Sequence, residues 1–250
     1  AEVTSHNLHN LYTPRGALVR DALNWSGKID EAMRLFSDRT DVQFGCHHWP
    51  IWGKDRVISF LKKQRDLYKF IHDQTLRLAN KGFSKEEIAE QIKLPESLSQ
   101  EFFNRDYYGT VHHNSKAVFV RYLGYFDGNP STLYERPPIE RAIRYVEWMG
   151  GPAKILEKAR ESFDSGDYRW TAEVLNHVVM ADEKHEEAKC LLADTLEQLG
   201  YQSESATWRN FFLCGALELR EGLPPTRDFV PSSGMAAGIP IDQVFKTMAV

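Results

Sequence analysis

Apolar positions along this chain recur mostly at helical spacing, and only one short run reads as a strand. That run is Asp41 to Phe44, and turn formers follow it. From Asp55 to about Leu78, Val57, Ile58, Leu61, Leu67, Tyr68, Ile71, Leu76 and Leu78 approximate a 3.6-residue stripe, which predicts one long helix ended by Lys81-Gly82. Earlier in the chain, Thr13-Pro14 marks a turn or a helix start. Leu18, Leu23 and Trp25 predict a helix ending near Ser26-Gly27, and Ile29, Met33, Leu35 and Phe36 predict a second over about 28–37. Ser84 and Glu87 form a capping box for a short helix that Leu94-Pro95 breaks, and another covers roughly 96–103. A helix over about 117–123 runs into the turn Asp127-Gly128-Asn129-Pro130.

From Pro137 the pattern is helical throughout, with helices expected over 138–149, 152–165, 168–181, 185–199 and 203–221. Gly166 and Gly200 stand 34 residues apart, and the small residues Ala172, Ala188 and Ala193 between them suit closely packed antiparallel helices. That period predicts a tetratricopeptide-like helix pair, and fewer than three such repeats bury too little core to stand alone. This unit therefore leans on another domain or a second subunit. Residues 222–238, rich in Pro, Gly and Ser, read as a linker. A new amphipathic helix is expected from Ile239 to the end, as the opening of a further domain.

Composition narrows the classes. A chain of 250 residues with 42% hydrophobic and 26% charged residues is ordinary for a globular protein of one or two domains. A net charge of −4 and a pI near 6.2 give no general basic surface for nucleic acid. No apolar run is long enough to span a membrane. Cys46, Cys190 and Cys214 form no CxxC pair, which argues against a disulfide framework or a cysteine-rich zinc site and leaves the compartment open. The N-terminus lacks an initiator Met and a signal-peptide pattern, so the chain reads as processed or cut from something longer.

Three stretches carry candidate chemistry. In Phe44 to Gly53, His47 and His48 follow the strand-like run and are flanked by Trp49 and Pro50, which suits a metal ligand on a rigid loop. The alternative is a capping histidine beside a solvated one. Arg15 and Arg20, with Asn10, Tyr12 and Thr13, form a polar cluster suited to an anion, because guanidinium presents fixed, forked donors. The alternative there is a pair of surface arginines. Tyr108, His113 and Asn114 belong to a polar and aromatic run ahead of a helix, where Asn114 either caps the helix or donates to an anion at its N-terminus. His177 and His185 lack acidic or cysteine partners at ligand spacing and read as structural.

Taken in order, NLYTPRGALVRDALNW, HHWPIWG, YYGTVHHNSKAVFVRYLGYFDGNP, GDYRWTAEVLNHVV and LLADTLEQLGYQSESATWRNFFL resemble the C-terminal part of the zinc-dependent alkyl sulfatases of the metallo-β-lactamase superfamily. The resemblance implies a mainly α chain. Residues 1–53 would end an αββα metallo-β-lactamase domain, and 54–136 would form a helical extension bordering the pocket. Residues 137–222 would be a TPR-like dimerisation domain, and 223–250 a linker with the first helix of a truncated sterol-carrier-like domain. It implies a homodimer, two zinc ions in the complete site and a sulfate ester of a medium- or long-chain alcohol as substrate. The setting it implies is bacterial, periplasmic or secreted. HHWP takes the place of the last metal-ligand motif, with His47 as the ligand and His48 in place of a glycine. Asn10, Arg15 and Arg20 would bind sulfate. Tyr108, His113 and Asn114 would border the pocket, with His113 or Tyr108 protonating the leaving group. The family's principal zinc motif, HxHxDH, is absent. One histidine cannot supply the three or so ligands that a catalytic zinc needs, so the alternative is a non-catalytic helical interaction module.

Overall fold

An irregular segment near the N-terminus is as deeply buried as the core helices. In the computed structural model, which describes residues 3–223, Asn7 to Leu11 and Thr13 are all buried although they form no regular element. Buried backbone groups need partners, and here side chains from distant helices supply them. The His9 N–H donates to the Tyr68 hydroxyl at 3.0 Å, and the Leu11 N–H to Asn114 Oδ1 at 2.8 Å. Asn114 Nδ2 donates to the His9 carbonyl at 2.9 Å, and His113 Nε2 to that of Tyr12 at 2.7 Å.

The helices around it follow from the apolar stripes. Helix α1 (Ala22–Phe36) begins at Asp21, whose carboxylate accepts from the Leu23 and Asn24 amides. It is one helix where two were expected, running straight through Gly27. A helical glycine costs about 1 kcal/mol against alanine, and the burial of Trp25, Ile29 and Met33 on one face outweighs that. Strands β1 (Val42–Gln43) and β2 (Ile51–Trp52) pair antiparallel, so the two histidines sit on the connection between paired strands. Helix α2 (Lys54–Ala79) runs through the core, burying Val57, Phe60, Leu61, Gln64, Leu67, Tyr68, Ile71 and Leu78, and its Tyr68 stacks on Trp25 at 4.8 Å. Helix α3 (Lys85–Gln91) carries the expected capping box, and α4 (Glu96–Ser99) is shorter than the expected 96–103.

Helix α5 (Val111–Leu123) starts six residues before the expected 117, because Thr110 caps it by accepting from the His113 N–H at 2.8 Å. Asn114 is therefore inside the helix, fully buried, and is not its cap. The polar run His112 to Lys116 hid that start. Its inward positions Asn114 and Ser115 are polar because they face backbone, not because they face water.

Leu8, Ile29, Ile51, Val57, Leu67 and Val118 share one core, so the boundary expected at residue 53 falls inside it. A second core forms among α6 (Pro138–Trp148), α7 (Pro152–Asp164), α8 (Tyr168–Ala181) and α9 (Glu186–Gln202), and α10 (Ala206–Glu221) packs on α9. The two glycines 34 apart do different work. Gly166 takes φ of +84° in the α7–α8 turn, whereas Gly200 lies within α9, where an added Cβ would meet Leu213 Cδ2 at 2.8 Å. His185 Nδ1 accepts from the Ala188 amide, capping α9, and His177 packs its ring on Tyr145 at 4.7 Å. The linker expected beyond residue 223 and the helix expected from Ile239 lie outside the described residues. Among the described residues no helix is long and apolar enough to cross a membrane, and all three cysteines are free and exposed.

Candidate functional site

The connection between β1 and β2 is strained at one residue. His48 has φ of +70°, in the left-handed region that costs an ordinary side chain of order 1 kcal/mol. This is the position that the resemblance equates with a glycine, which adopts such a backbone freely. Here His48 Nε2 accepts from Asn7 Nδ2 at 3.1 Å, tying the turn to the buried segment.

That bond helps to form a cleft of about 420 Å³, lined by His6, Asn7, His47, His48, Phe102, Tyr107, Tyr108 and Ala206. Chain segments near residues 6, 47, 107 and 206 thus meet at one place. The His6 ring sits edge-on to Phe60 at 5.3 Å and 6.3 Å from His48. Burial, and then the charges of His48 and Arg56, hold His6 below the usual imidazole range and favour the neutral ring.

Tyr107 and Tyr108 form the part of the cleft wall that Gly109 follows. This wall presses on the buried segment so closely that a Cβ on Gly109 would lie 2.7 Å from the His9 carbonyl oxygen, and the Gly109 N–H donates to Leu8 O at 2.7 Å. The His9 ring lies between two sites. It is 5.1 Å from Tyr108 on one side and 5.5 Å from Trp25 on the other.

Trp25 lines a second depression, of about 410 Å³, with Val3, Arg20, Asp21, Asn24 and Lys28. Arg20 Nη1 donates to the Asn10 carbonyl at 2.7 Å and to Thr13 Oγ1 at 3.4 Å, and its guanidinium lies 5.9 Å from the Trp25 ring. Arg15 is exposed on the turn closed by the Gly16 N–H and Thr13 O. Asn10 is fully buried, and neither polar atom of its amide has a partner. An unpaired buried amide costs about 1–3 kcal/mol, and such groups concentrate where function requires them.

The fold therefore divides the candidates. His47 and Tyr108 share the first cleft, and Arg20 lines the second. Asn114 commits both ends of its amide to the backbone of His9 and Leu11, so it supports the segment instead of touching a ligand. His113 lines neither cleft, and burial holds it below the usual imidazole range. With its Nε2 proton on the Tyr12 carbonyl, the neutral ring has no second proton to give, which makes it a poor acid for a leaving group. His6 and Asn7 escaped the sequence reading, whereas His48 stood there beside His47 and Tyr107 within the YYG stretch. The doublets His6-Asn7 and His9-Asn10 were the available signal.

Imidazole is a good zinc donor, but among the described residues no group of three or more His, Cys, Asp or Glu is placed to hold a metal ion. These residues do not make a zinc site by themselves.

The architecture defines a class: a mainly helical module with a cleft where its histidine turn meets Tyr107 and Tyr108. A solved structure, that of the stereoselective inverting sec-alkylsulfatase Pisa1 from Pseudomonas sp., superposes with a TM-score of 0.90 at 46% identity, over 98% of this chain and 39% of that one. The family model described as alkyl sulfatase dimerisation matches residues 84–222, and the chain belongs to that family. A linear primary-alkylsulfatase from Pseudomonas sp. is 51% identical over 100% of this chain and 37% of its own length. An alkyl/aryl-sulfatase from Saccharomyces cerevisiae is 51% identical over 91% of the chain and 35% of its own length. An (R)-specific secondary-alkylsulfatase from Pseudomonas sp. is 47% identical over 97% and 37% respectively. The chain thus spans little more than a third of the relatives it matches.

Proposed function

We propose that this chain is one part of an alkyl sulfatase that hydrolyses sulfate esters of medium- or long-chain alcohols. The observation that carries the reading is the meeting of His47 and Tyr108 in one cleft from stretches 61 residues apart, as a substrate site needs. In this reading His47 is one ligand of a zinc site whose other donors lie outside the described residues. Zinc, when bound, supplies an activated water at neutral pH. Tyr108, which lines the same cleft, offers its phenol to the ester. Arg20 lines the second depression and Arg15 stands on an exposed turn, so no guanidinium is among the residues lining the cleft of His47 and Tyr108. The chain alone is expected to release no sulfate from dodecyl sulfate and to bind zinc weakly. In the parent polypeptide, H47A should lower sulfate release at least a hundredfold. Turnover by the 250 residues alone, or full activity in H47A, would overturn the assignment.

The second part of the reading is a homodimer formed through the helical region. It is supported by the match to a dimerisation family and by an apolar face on and just before α6. There Tyr134 is 98% exposed and Trp148 89%, and both line one groove with Tyr145. Such a cluster, with Arg136, Arg144 and Glu140 interspersed, suits an isologous contact in which each charge meets its opposite. Light scattering should give about twice 28.8 kDa for the wild type and a monomer for W148D/Y134D. A monomeric wild type would rule out the dimer, and a dimeric double variant would rule out this face. A non-catalytic interaction module is the second reading, favoured by the lack of a three-donor metal group among the described residues.

A further inference from the structure

Tyr108 is held from both sides, and the second support comes from the far end of the chain. On one side the Gly109 N–H donates to Leu8 O at 2.7 Å. On the other, the hydroxyls of Ser205 and Thr207 both donate to the Tyr108 carbonyl, at 2.7 and 3.0 Å. The Ala206 N–H donates to the neighbouring Tyr107 carbonyl at 2.9 Å. Two donors on one carbonyl use both its lone pairs and fix its direction. Ser205 is buried at 2% exposure, so its bond is sheltered from water, where a hydrogen bond is strongest. Arg105 and Glu204 add an ion pair across the same junction.

These contacts join elements that belong to different cores. Residues 204–207 lead into α10, on the helical region, while Tyr107 and Tyr108 wall the cleft that also holds His47. A fixed carbonyl sets the Tyr108 backbone, and with it the ring that lies 5.1 Å from His9. Without the two hydroxyls, the 107–109 turn would be anchored on one side only. Turns with few anchors sit at the low-stability end of a protein's local openings.

We propose that Ser205 and Thr207 are positioning residues for Tyr108, so that the end of the dimerisation region forms part of the scaffold of the cleft. The inference rests on the reading of that cleft as a sulfate-ester site. It explains physically why one chain carries both a helical assembly region and a wall of the site: the last helix holds the wall in place. The preorganisation of a binding group depends on the shell that supports it, and an error of about 1 Å there is enough to lower activity.

Thr207 gives the cleaner test, because Ser205 also caps α10 by accepting from the Trp208 amide. T207V keeps the shape and removes the donor, while T207S restores it. In the full chain, hydrogen exchange read by mass spectrometry should be about fivefold faster over residues 105–110 in T207V, and normal in T207S. In the parent enzyme, T207V should lower kcat/KM for dodecyl sulfate about tenfold and T207S should recover it. Unchanged exchange over 105–110 in T207V would overturn the positioning role. Faster exchange spread through α10 would mark a merely structural loss and overturn it equally. Faster local exchange with unaltered kcat and KM would leave the tether in place but remove Tyr108 from the site, and with it the proposed use of this cleft.

Discussion

Replacing Gly109 with alanine is expected to destabilise the protein by about 2–4 kcal/mol and to open the cleft. The figure combines the usual cost of overpacking with the loss of one buried hydrogen bond. The reason is steric and local. A Cβ at this position would lie 2.7 Å from His9 O and 2.8 Å from Leu8 O, and both are backbone atoms that no rotamer change can move away. Relief requires Gly109 to part from Leu8, which breaks the 2.7 Å bond between them and shifts Tyr108. A glycine inside a helix provides the contrast. At Gly27 nothing lies within 4 Å of an added Cβ, so G27A should be neutral or stabilise by up to about 1 kcal/mol. Urea midpoints of the two variants check both values. A G109A protein as stable as the wild type would mean that the wall does not press on the segment as described.

The second large effect concerns Asp106, which caps the approach to α5 by accepting from the Val111 N–H at 3.0 Å. Burial, and to a smaller degree the charge of Glu204, raises its carboxyl from 3.8 to about 6, although the Val111 bond and Arg105 act the other way. The consequence for stability follows from which state binds the proton more tightly. Below about pH 3 the carboxyl is protonated in both the folded and the unfolded chain, and stability is unaffected. As the pH rises from there to about 6 the unfolded chain releases its proton first, so stability falls and stays low above that window.

A shift of roughly two units at about 1.4 kcal/mol each gives a penalty of up to about 3 kcal/mol at pH 7. D106N keeps an oxygen to accept from Val111 and cannot ionise. It should raise the melting temperature at pH 7.5 by several degrees, at about 2–4 °C per kcal/mol for a chain of this size, and by almost nothing at about pH 3. An advantage that persists unchanged at about pH 3 would show that ionisation is not its source.

Much of the helical outline was legible in the sequence. The stripe from Val57 to Leu78, the Ser84–Glu87 box and the five helices beyond Pro137 each depend on neighbours along the chain. Propensity, capping and periodicity therefore report them directly. The errors have a common origin. Gly27 read as a helix end because its local cost is visible, while the burial of Trp25, Ile29 and Met33 that overrides it is not. Asn114 read as a cap or an anion donor because polar residues favour helix ends, whereas its partners, His9 and Leu11, lie more than a hundred residues earlier.

The candidate site divides in the same way. His47, Tyr108, Arg15 and Arg20 stood out by residue type, and the sequence alone determined that this chain carries imidazole, phenol and guanidinium groups of the kinds that bind metals and anions. Only the tertiary structure decided which of them meet. It put His47 and Tyr108 in one cleft, gave Arg20 another, turned Asn114 into a support for buried backbone and brought Ser205 and Thr207 onto the Tyr108 carbonyl. Periodicity and capping act over a few residues, so a single sequence reveals them. The pairing of a buried carbonyl with a donor a hundred residues away is fixed only when the whole core packs, because only then does leaving it unpaired cost free energy.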